Sequence, residues 1–283
     1  MNSDRILRYF SKRFNRIVRR KVGEKYYQIP IIYGASVPSS NKHEPWFYDL
    51  ISYLINSKSS FTFFDVGVNL GQTLLKVKSI NSSCSYFGFE PNSFCNFYVN
   101  KLVRLNGLKN SKVFPFGLSA KMGIEYLHFF NDSDADNEAS IIKQFRDNFK
   151  RETVLPVPTF TLDYFCDTNE ISKIDFLKID VEGAELEVIK GGISAIRRFD
   201  PIIIVEVLPA YNSDNMYRVR RQGELLSIII ELGYNIFQVI KESSQLKGIK
   251  KVSKFKIDRQ LHECDYVLVK NDQHLPEQLI LID

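Results

Sequence analysis

A chain of 283 residues, 44% hydrophobic and 25% charged, has the balance of an ordinary globular protein, enough for one large domain or two small ones. No apolar run approaches the ~20 residues of a membrane span, and no apolar stretch follows the basic start as a secretory signal would require. Residues 1–21 carry eight cations against Asp4 alone, a local +7 that leaves −2 for the rest of a chain whose total is +5. That main part is therefore not expected to grip nucleic acid, which needs clustered Lys and Arg.

Residues 1–45 read as a basic amphipathic arm and an irregular lead-in. Ile6, Phe10, Phe14 and Ile17 recur at helical spacing among Arg and Lys. Such a helix suits peripheral contact of residues 1–21 with an anionic membrane, an acidic partner, or packing on its own domain. Pro30, Gly34, Pro38, Ser39 and Ser40 then predict an irregular stretch. Residues 46–283 read as the main domain. A helix is predicted over Pro45–Asn56. Strands are predicted at Phe61–Val66, Ser85–Glu90, Lys112–Leu118, Ile174–Asp180, Ile202–Val207, Tyr234–Ile240 and Asp265–Val269. Helices are predicted between them at Gln72–Ser79, Ser93–Leu105, Ala184–Lys190 and Gly223–Leu232, with Gly191-Gly192 as a helix stop. This alternation predicts an α/β fold with a mostly parallel sheet covered on both faces. The polar segment 131–152 reads as a lid-like insertion. Cys84, Cys95, Cys166 and Cys264 form no C-x-x-C pair, so neither a zinc site nor a disulfide framework is expected, and reduced thiols in the cytoplasm are.

Three motifs carry chemistry. In the first, an apolar strand ends at Asp65 and turns through Gly67 and Gly71 into a helix. Glycine lets the backbone approach a ligand at a strand's carboxyl end. A dinucleotide site prefers G-x-G-x-x-G, which frees a helix N-terminus for pyrophosphate. Here the spacing is Gly67-x-x-x-Gly71 with an acid two residues before it. That suits a ligand without phosphate, such as the aminoacyl end of S-adenosylmethionine (SAM). In the second, Glu90 ends the next strand, followed by Pro91 and Asn92, and a carboxylate there can accept hydrogen bonds from both ribose hydroxyls of an adenosine. In the third, Lys178 and Asp180 share one strand face, with Asp180 at the carboxyl end and Glu182 and Glu185 after it. These acids could also cap or favour a helix N-terminus. Ser119, after Phe116-Gly117-Leu118, is placed to approach an adenine.

Asp65-Val66-Gly67-x-Asn69-x-Gly71-Gln72-Thr73, Phe89-Glu90-Pro91-Asn92, Thr161-Leu162-Asp163, Leu177-Lys178-Ile179-Asp180-Val181-Glu182-Gly183-Ala184-Glu185 and Pro201-x-Ile203-x-x-Glu206 together resemble the FkbM-type methyltransferases. The resemblance spans about Phe61 to Val269 and leaves residues 1–45 uncovered. It implies a Rossmann-like class I SAM fold, with seven mostly parallel strands and an antiparallel final hairpin. It also implies O-methylation of a sugar, glycan or secondary-metabolite hydroxyl. Asp65, Gly67, Asn69, Gly71, Thr73, Glu90, Pro91 and Ser119 are then expected at the cofactor.

An aliphatic hydroxyl needs a general base or a metal to attack at neutral pH. Asp180 or Glu182 is the expected base. Alternatively Asp180 and Glu206 hold a divalent cation, for which the sequence offers no third ligand. His43, His128, His262 and His274 lack motif context; only His128, after the third strand, could reach an acceptor. Competing readings are an NAD-dependent oxidoreductase, an RNA 2′-O-methyltransferase using the basic arm, and a SAM-fold protein that binds a partner without turnover.

Overall fold

The strand runs of the main domain assemble into one eight-stranded sheet in this computed structural model, which describes residues 15–37, 44–55, 58–130, 135–136, 139–142, 153–210, 214–256, 263–273 and 275–281. The elements are β1 (Arg16–Val22), β2 (Lys25–Ile31), α1 (Pro45–Ile55), β3 (Thr62–Val66), α2 (Gln72–Ile80), β4 (Ser85–Phe89), α3 (Ser93–Leu105), β5 (Ser111–Phe114), β6 (Gly117–Leu118), β7 (Gly123–Phe129) and β8 (Thr153–Phe160). They continue with α4 (Leu162–Thr168), β9 (Phe176–Ile179), α5 (Glu185–Lys190), α6 (Ile193–Phe199), β10 (Ile202–Glu206), α7 (Met216–Glu231), β11 (Tyr234–Glu242), β12 (Gln245–Val252) and β13 (Asp265–Lys270).

The large sheet runs β12-β11-β13-β10-β9-β3-β4-β5. Pairing is parallel from β10 through β9, β3 and β4 to β5, and antiparallel at β13, β11 and β12. The chain leaves β3 toward β4 and β5, then returns to build β9 and β10 on the other side. The carboxyl ends of β3 and β9 therefore flank the point where strand order reverses, the place where such sheets bind ligands.

Alternation along each strand makes two apolar layers. Phe63, Tyr86 and Phe176 face a core shared with Phe47 and Leu50 of α1, Leu74 of α2, and Tyr98 and Leu102 of α3. The next residue of β3, Phe64, faces the other core with Phe165 of α4, Ile189 of α5, Ile196 of α6 and Ile229 of α7. Phe165 centres an aromatic cluster, with ring centroids 4.8 Å from Phe89, 4.9 Å from Phe114 and 6.0 Å from Phe64. Helix starts follow side-chain chemistry: Asn92 accepts from Phe94 and Cys95 N–H, Thr161 from Tyr164 and Asn215 from Arg218.

Several expectations are corrected. The seven strands implied by the resemblance are present, but β12 pairs with β11 and adds an eighth at the edge. The run Lys112–Leu118 breaks at Pro115 into β5 and β6, and β6 leaves to form a three-stranded sheet with β8 and β7. Pro156 and Pro158 hid β8, because proline demotes a strand in a sequence pattern. The last predicted helix begins earlier, at Met216. The basic helix fails where it is described: Arg16–Val22 is a strand, turned by Gly23 (φ 55) onto β2 in the stretch expected to be irregular. Strand alternation won because Val22, Tyr27 and Ile29 bury their side chains against the domain. Residues 1–14 and most of the insertion expected at 131–152 lie outside the described residues. No helix among the described residues is long and apolar enough to cross a membrane.

Truncating Phe165 to Ala should cost about 3–5 kcal/mol, since it empties a site bounded by several rings. The measurement is a urea midpoint, which should fall at unchanged m.

Candidate active site

The residues after β3 must approach β9 closely, and glycine permits it. Gly67 has φ 89, and a Cβ there would lie 1.8 Å from the Asp180 carbonyl oxygen. Asn69 (φ 50) and Gly71 (φ 89) continue the turn into α2. Glu90, at the end of β4, fastens it. Its Oε2 accepts from the Asn69 N–H at 2.6 Å and its Oε1 from the Asn92 N–H at 2.9 Å.

A cavity of about 540 Å³ opens over these strand ends. One wall carries Gly67, Asn69, Thr73, Glu90 and Pro91. Beside them, at and just after the neighbouring ends of β9 and β10, lie Lys178, Asp180, Glu182 and Glu206. Phe89, Leu118, Leu127 and Ile141 supply apolar lining. The arrangement can hold a ligand with a polar sugar at one end and a reacting group at the other.

The turn after β9 places the acids. Glu182 (φ 52) and Gly183 (φ 106) take left-handed backbone conformations. The Gly183 N–H donates to Glu185 Oε1 at 2.8 Å, and its carbonyl accepts from Arg221 Nη2 at 2.8 Å. Fixed from both sides, this turn brings one carboxylate oxygen each of Asp180, Glu182 and Glu206 within 4.8 Å of one another.

Most of the expected residues converge here, but three do not. Asp65 is fully buried beneath the cavity, accepts a hydrogen bond from the Tyr86 hydroxyl, and lies 3.7 Å from Lys178 Nζ. Gly71 packs toward Leu102 of α3. Ser119 is buried outside the lining: its N–H donates to the Phe160 carbonyl, and its own carbonyl sits where Gly191 has room only for a hydrogen. Neighbouring Gly117 and Leu118 line the cavity instead. His128 is buried in β7 and exchanges backbone hydrogen bonds with Ser140; His43, His262 and His274 lie outside the described residues. Unforeseen lining comes from Glu44, Asp136 and Ile141, in stretches without sequence periodicity. Lys178 was also missed as a site residue, although its i, i+2 relation to Asp180 was legible.

Lys178 Nζ donates to Asp180 Oδ2 at 2.8 Å. Burial alone would lower this ammonium's pKa; Asp180 and Asp65 outweigh it and hold it above the ordinary lysine value. Burial raises Asp65 to about 6 despite Lys178 and Tyr86. Burial raises Glu90 to about 7 despite the Asn92 and Asn69 N–H groups. Glu206 is pushed well above the usual carboxylate range, first by burial and then by Asp180, Asp265 and Glu182. It receives a hydrogen bond from the Cys264 thiol at 3.1 Å. Burial and its acidic neighbours thus favour the neutral form of Glu206.

A family model described as the methyltransferase FkbM domain matches residues 65–268. Among curated proteins, the methyltransferase sdnD of Sordaria araneosa is 26% identical over 164 residues, covering 49% of this chain and 62% of its own length. The hexuronic acid methyltransferase AglP of Haloferax volcanii is 25% identical over 188 residues, covering 65% of this chain and 72% of its own. Among solved structures, the methyltransferase FkbM of Methylobacillus flagellatus KT superposes with a TM-score of 0.45 at 15% identity, over 75% of this chain and 44% of that one. The chain thus spans under two thirds of the sdnD length and under half of the crystallised chain.

Glu185 offers a stability test of the turn. It is buried under Gly183, and burial raises its pKa from the model-compound value 4.5 to about 8. Between those values the folded state keeps a proton that the unfolded chain has released, so stability falls as pH rises through that window. Glu185→Gln should flatten this dependence while keeping an acceptor for the Gly183 N–H. Urea midpoints at several pH values between the two pKa values measure it; equal slopes for both proteins would refute the assignment.

Proposed function

The chain belongs to the FkbM methyltransferase family, and we propose that it transfers the methyl group of SAM to a hydroxyl of a sugar, glycan or secondary-metabolite acceptor. Glu90 is the observation that carries this. Each of its oxygens spends one lone pair on a loop N–H and keeps another for a ribose hydroxyl. The cavity fits the cofactor's chemistry: an anionic end for ribose, backbone carbonyls at Gly67 and Asn69 for the ammonium of an aminoacyl group, and apolar lining beside Leu118 for a base. When bound, SAM supplies an electrophilic methyl on a sulfonium.

Asp180 is then the base. With SAM bound, the Asp180 carboxylate would accept the proton of the attacking acceptor hydroxyl. Lys178 holds that carboxylate at the cavity wall, and burial favours the neutral form of Glu206, which makes it the weaker candidate for the role. Asp65, out of the lining, supports Lys178 from below. The resemblance to a hexuronic acid methyltransferase supports a carbohydrate acceptor.

A second version is favoured by one observation: Glu182 joins Asp180 and Glu206 as the third ligand that a divalent cation would need. A cation there would lower the acceptor hydroxyl pKa and displace the Glu206 proton. The RNA reading is disfavoured, because Lys178 is the one cation among the described lining residues, against six carboxylates.

Calorimetric titration with SAM should show binding that Glu90→Ala weakens about 100-fold, the loss of two charge-assisted hydrogen bonds. Affinity should rise from below to above the Glu90 pKa of about 7, and Glu90→Gln should erase that rise. NAD binding in place of SAM would overturn the proposal.

The metal version is tested by S-adenosylhomocysteine release over a panel of sugar acceptors after exhaustive chelation. Full retention of turnover removes the cation and leaves a carboxylate base; loss restored by magnesium selects the cation.

A further inference from the structure

We propose that the outer face of the β1–β2 hairpin docks this protein on an anionic lipid bilayer. The inference is independent of the methyl-transfer reading.

The hairpin is a separate two-stranded sheet whose faces differ by strand alternation. Val22, Tyr27 and Ile29 point inward and are buried. Ile17, Arg19 and Lys21 of β1 alternate onto the other face, with Lys21 opposite Tyr26 and Arg19 opposite Gln28. On that face Ile17 is 53% exposed and Tyr26 59%. The Arg19 guanidinium lies 4.4 Å over the Tyr26 ring. The hairpin is also held firmly to the main domain. Asn106, after α3, accepts from the Gln28 N–H at 2.7 Å and donates to the Gln28 carbonyl at 2.8 Å. A docked hairpin would therefore hold the whole domain at the surface. Ile17, Arg19, Tyr26, Gln28, Leu105 and Asn106 continue the face into a groove.

Charge decides the occupant. Within residues 16–31 five cations stand against one acid, Glu24; Arg19 and Lys21 lie on the outer face, while Arg20 and Lys25 turn inward and donate to the Val37 and Lys78 carbonyls. Glu24 pairs with Lys21 at 2.9 Å. Residues 32–283 carry a net −2, so the molecule's positive excess resides in its first 31 residues. Cations beside an exposed isoleucine and tyrosine match the headgroup region of an anionic leaflet. There phosphates attract Arg and Lys, and amphipathic rings sit at the interface. A nucleic-acid platform would instead need a ring face open for stacking, and Arg19 covers that of Tyr26.

The test is cosedimentation of the full chain with vesicles of phosphatidylcholine alone and with about 30% phosphatidylglycerol added, in salt of ~0.1 M. Binding is expected to the anionic vesicles and not to the neutral ones, and it should weaken as salt is raised. Arg19→Glu, and separately Ile17→Ser with Tyr26→Ser, should each reduce partitioning about tenfold. Both alter exposed side chains, and Arg19→Gln provides a milder variant whose unfolding midpoint should match the wild type. Failure of the wild type to bind anionic vesicles would overturn the proposal. So would variants that sediment like the wild type, or tighter wild-type binding to single-stranded RNA than to vesicles at the same salt.

Discussion

One ammonium group organises the site. Lys178 is buried in the central sheet, where its charge could not persist alone, and it is kept there by Asp180 at 2.8 Å and Asp65 at 3.7 Å. Removing Asp180 would leave that charge only the more distant Asp65 in a low-dielectric interior, a loss larger than the pair's own net contribution. That dependence runs both ways. Asp65 cannot be the exposed acid of a ligand loop while it serves beneath the sheet, and Asp180 cannot swing freely at the cavity wall. The Gly67–Asp180 contact makes the same demand in steric terms, because any side chain at Gly67 would drive β3 and β9 apart. Charge and close packing thus fix the same two strand ends.

Around this centre the domain gathers acids that each need separate compensation. Glu90 is held by two backbone N–H groups, Glu185 by the Gly183 N–H, Asp265 by Lys241, and Glu206 by the Cys264 thiol. Four carboxylates are raised by burial, Asp65 and Asp265 to about 6, Glu90 to about 7 and Glu185 to about 8. A fold serving only stability would not collect them, since buried carboxylates with raised pKa values cost stability at neutral pH. Of these, Glu90 lines the cavity and Asp65 lies beneath it at the switch point of the sheet, where perturbed carboxylates are expected of a functional site.

Much of this was legible in the sequence where chemistry is local. Strands β3, β4, β9 and β10 announced themselves as apolar runs, and Glu90, Asp180 and Glu206 were placed by ending those runs. Gly67 was legible because only a close approach requires glycine there. Hidden features depend on partners distant in sequence. Whether Asp65 faces the ligand or the sheet interior turns on Tyr86 and Lys178, which no spacing reveals. Ser119 sits one residue past the lining because β6 leaves the main sheet after Pro115. The hairpin β1–β2 was concealed because apolar residues at Ile6, Phe10, Phe14 and Ile17 fit a helix, while burial of Tyr27 and Ile29 decides for a strand.

The nature of the acceptor and the presence of a metal are one electrostatic question. Six carboxylates line the cavity, and its one cation among the described residues already pairs with Asp180. In the proposed reaction a neutral sugar hydroxyl would enter without opposing the ionised members of that set, and Asp180 could take its proton. An anionic sugar, such as the acid named for the Haloferax volcanii relative, would meet repulsion concentrated by the low-dielectric walls. It could be accommodated only with a compensating positive charge, and Asp180, Glu182 and Glu206 are the described residues grouped closely enough to hold one. A neutral acceptor therefore goes with the carboxylate base, and an acidic acceptor goes with the cation.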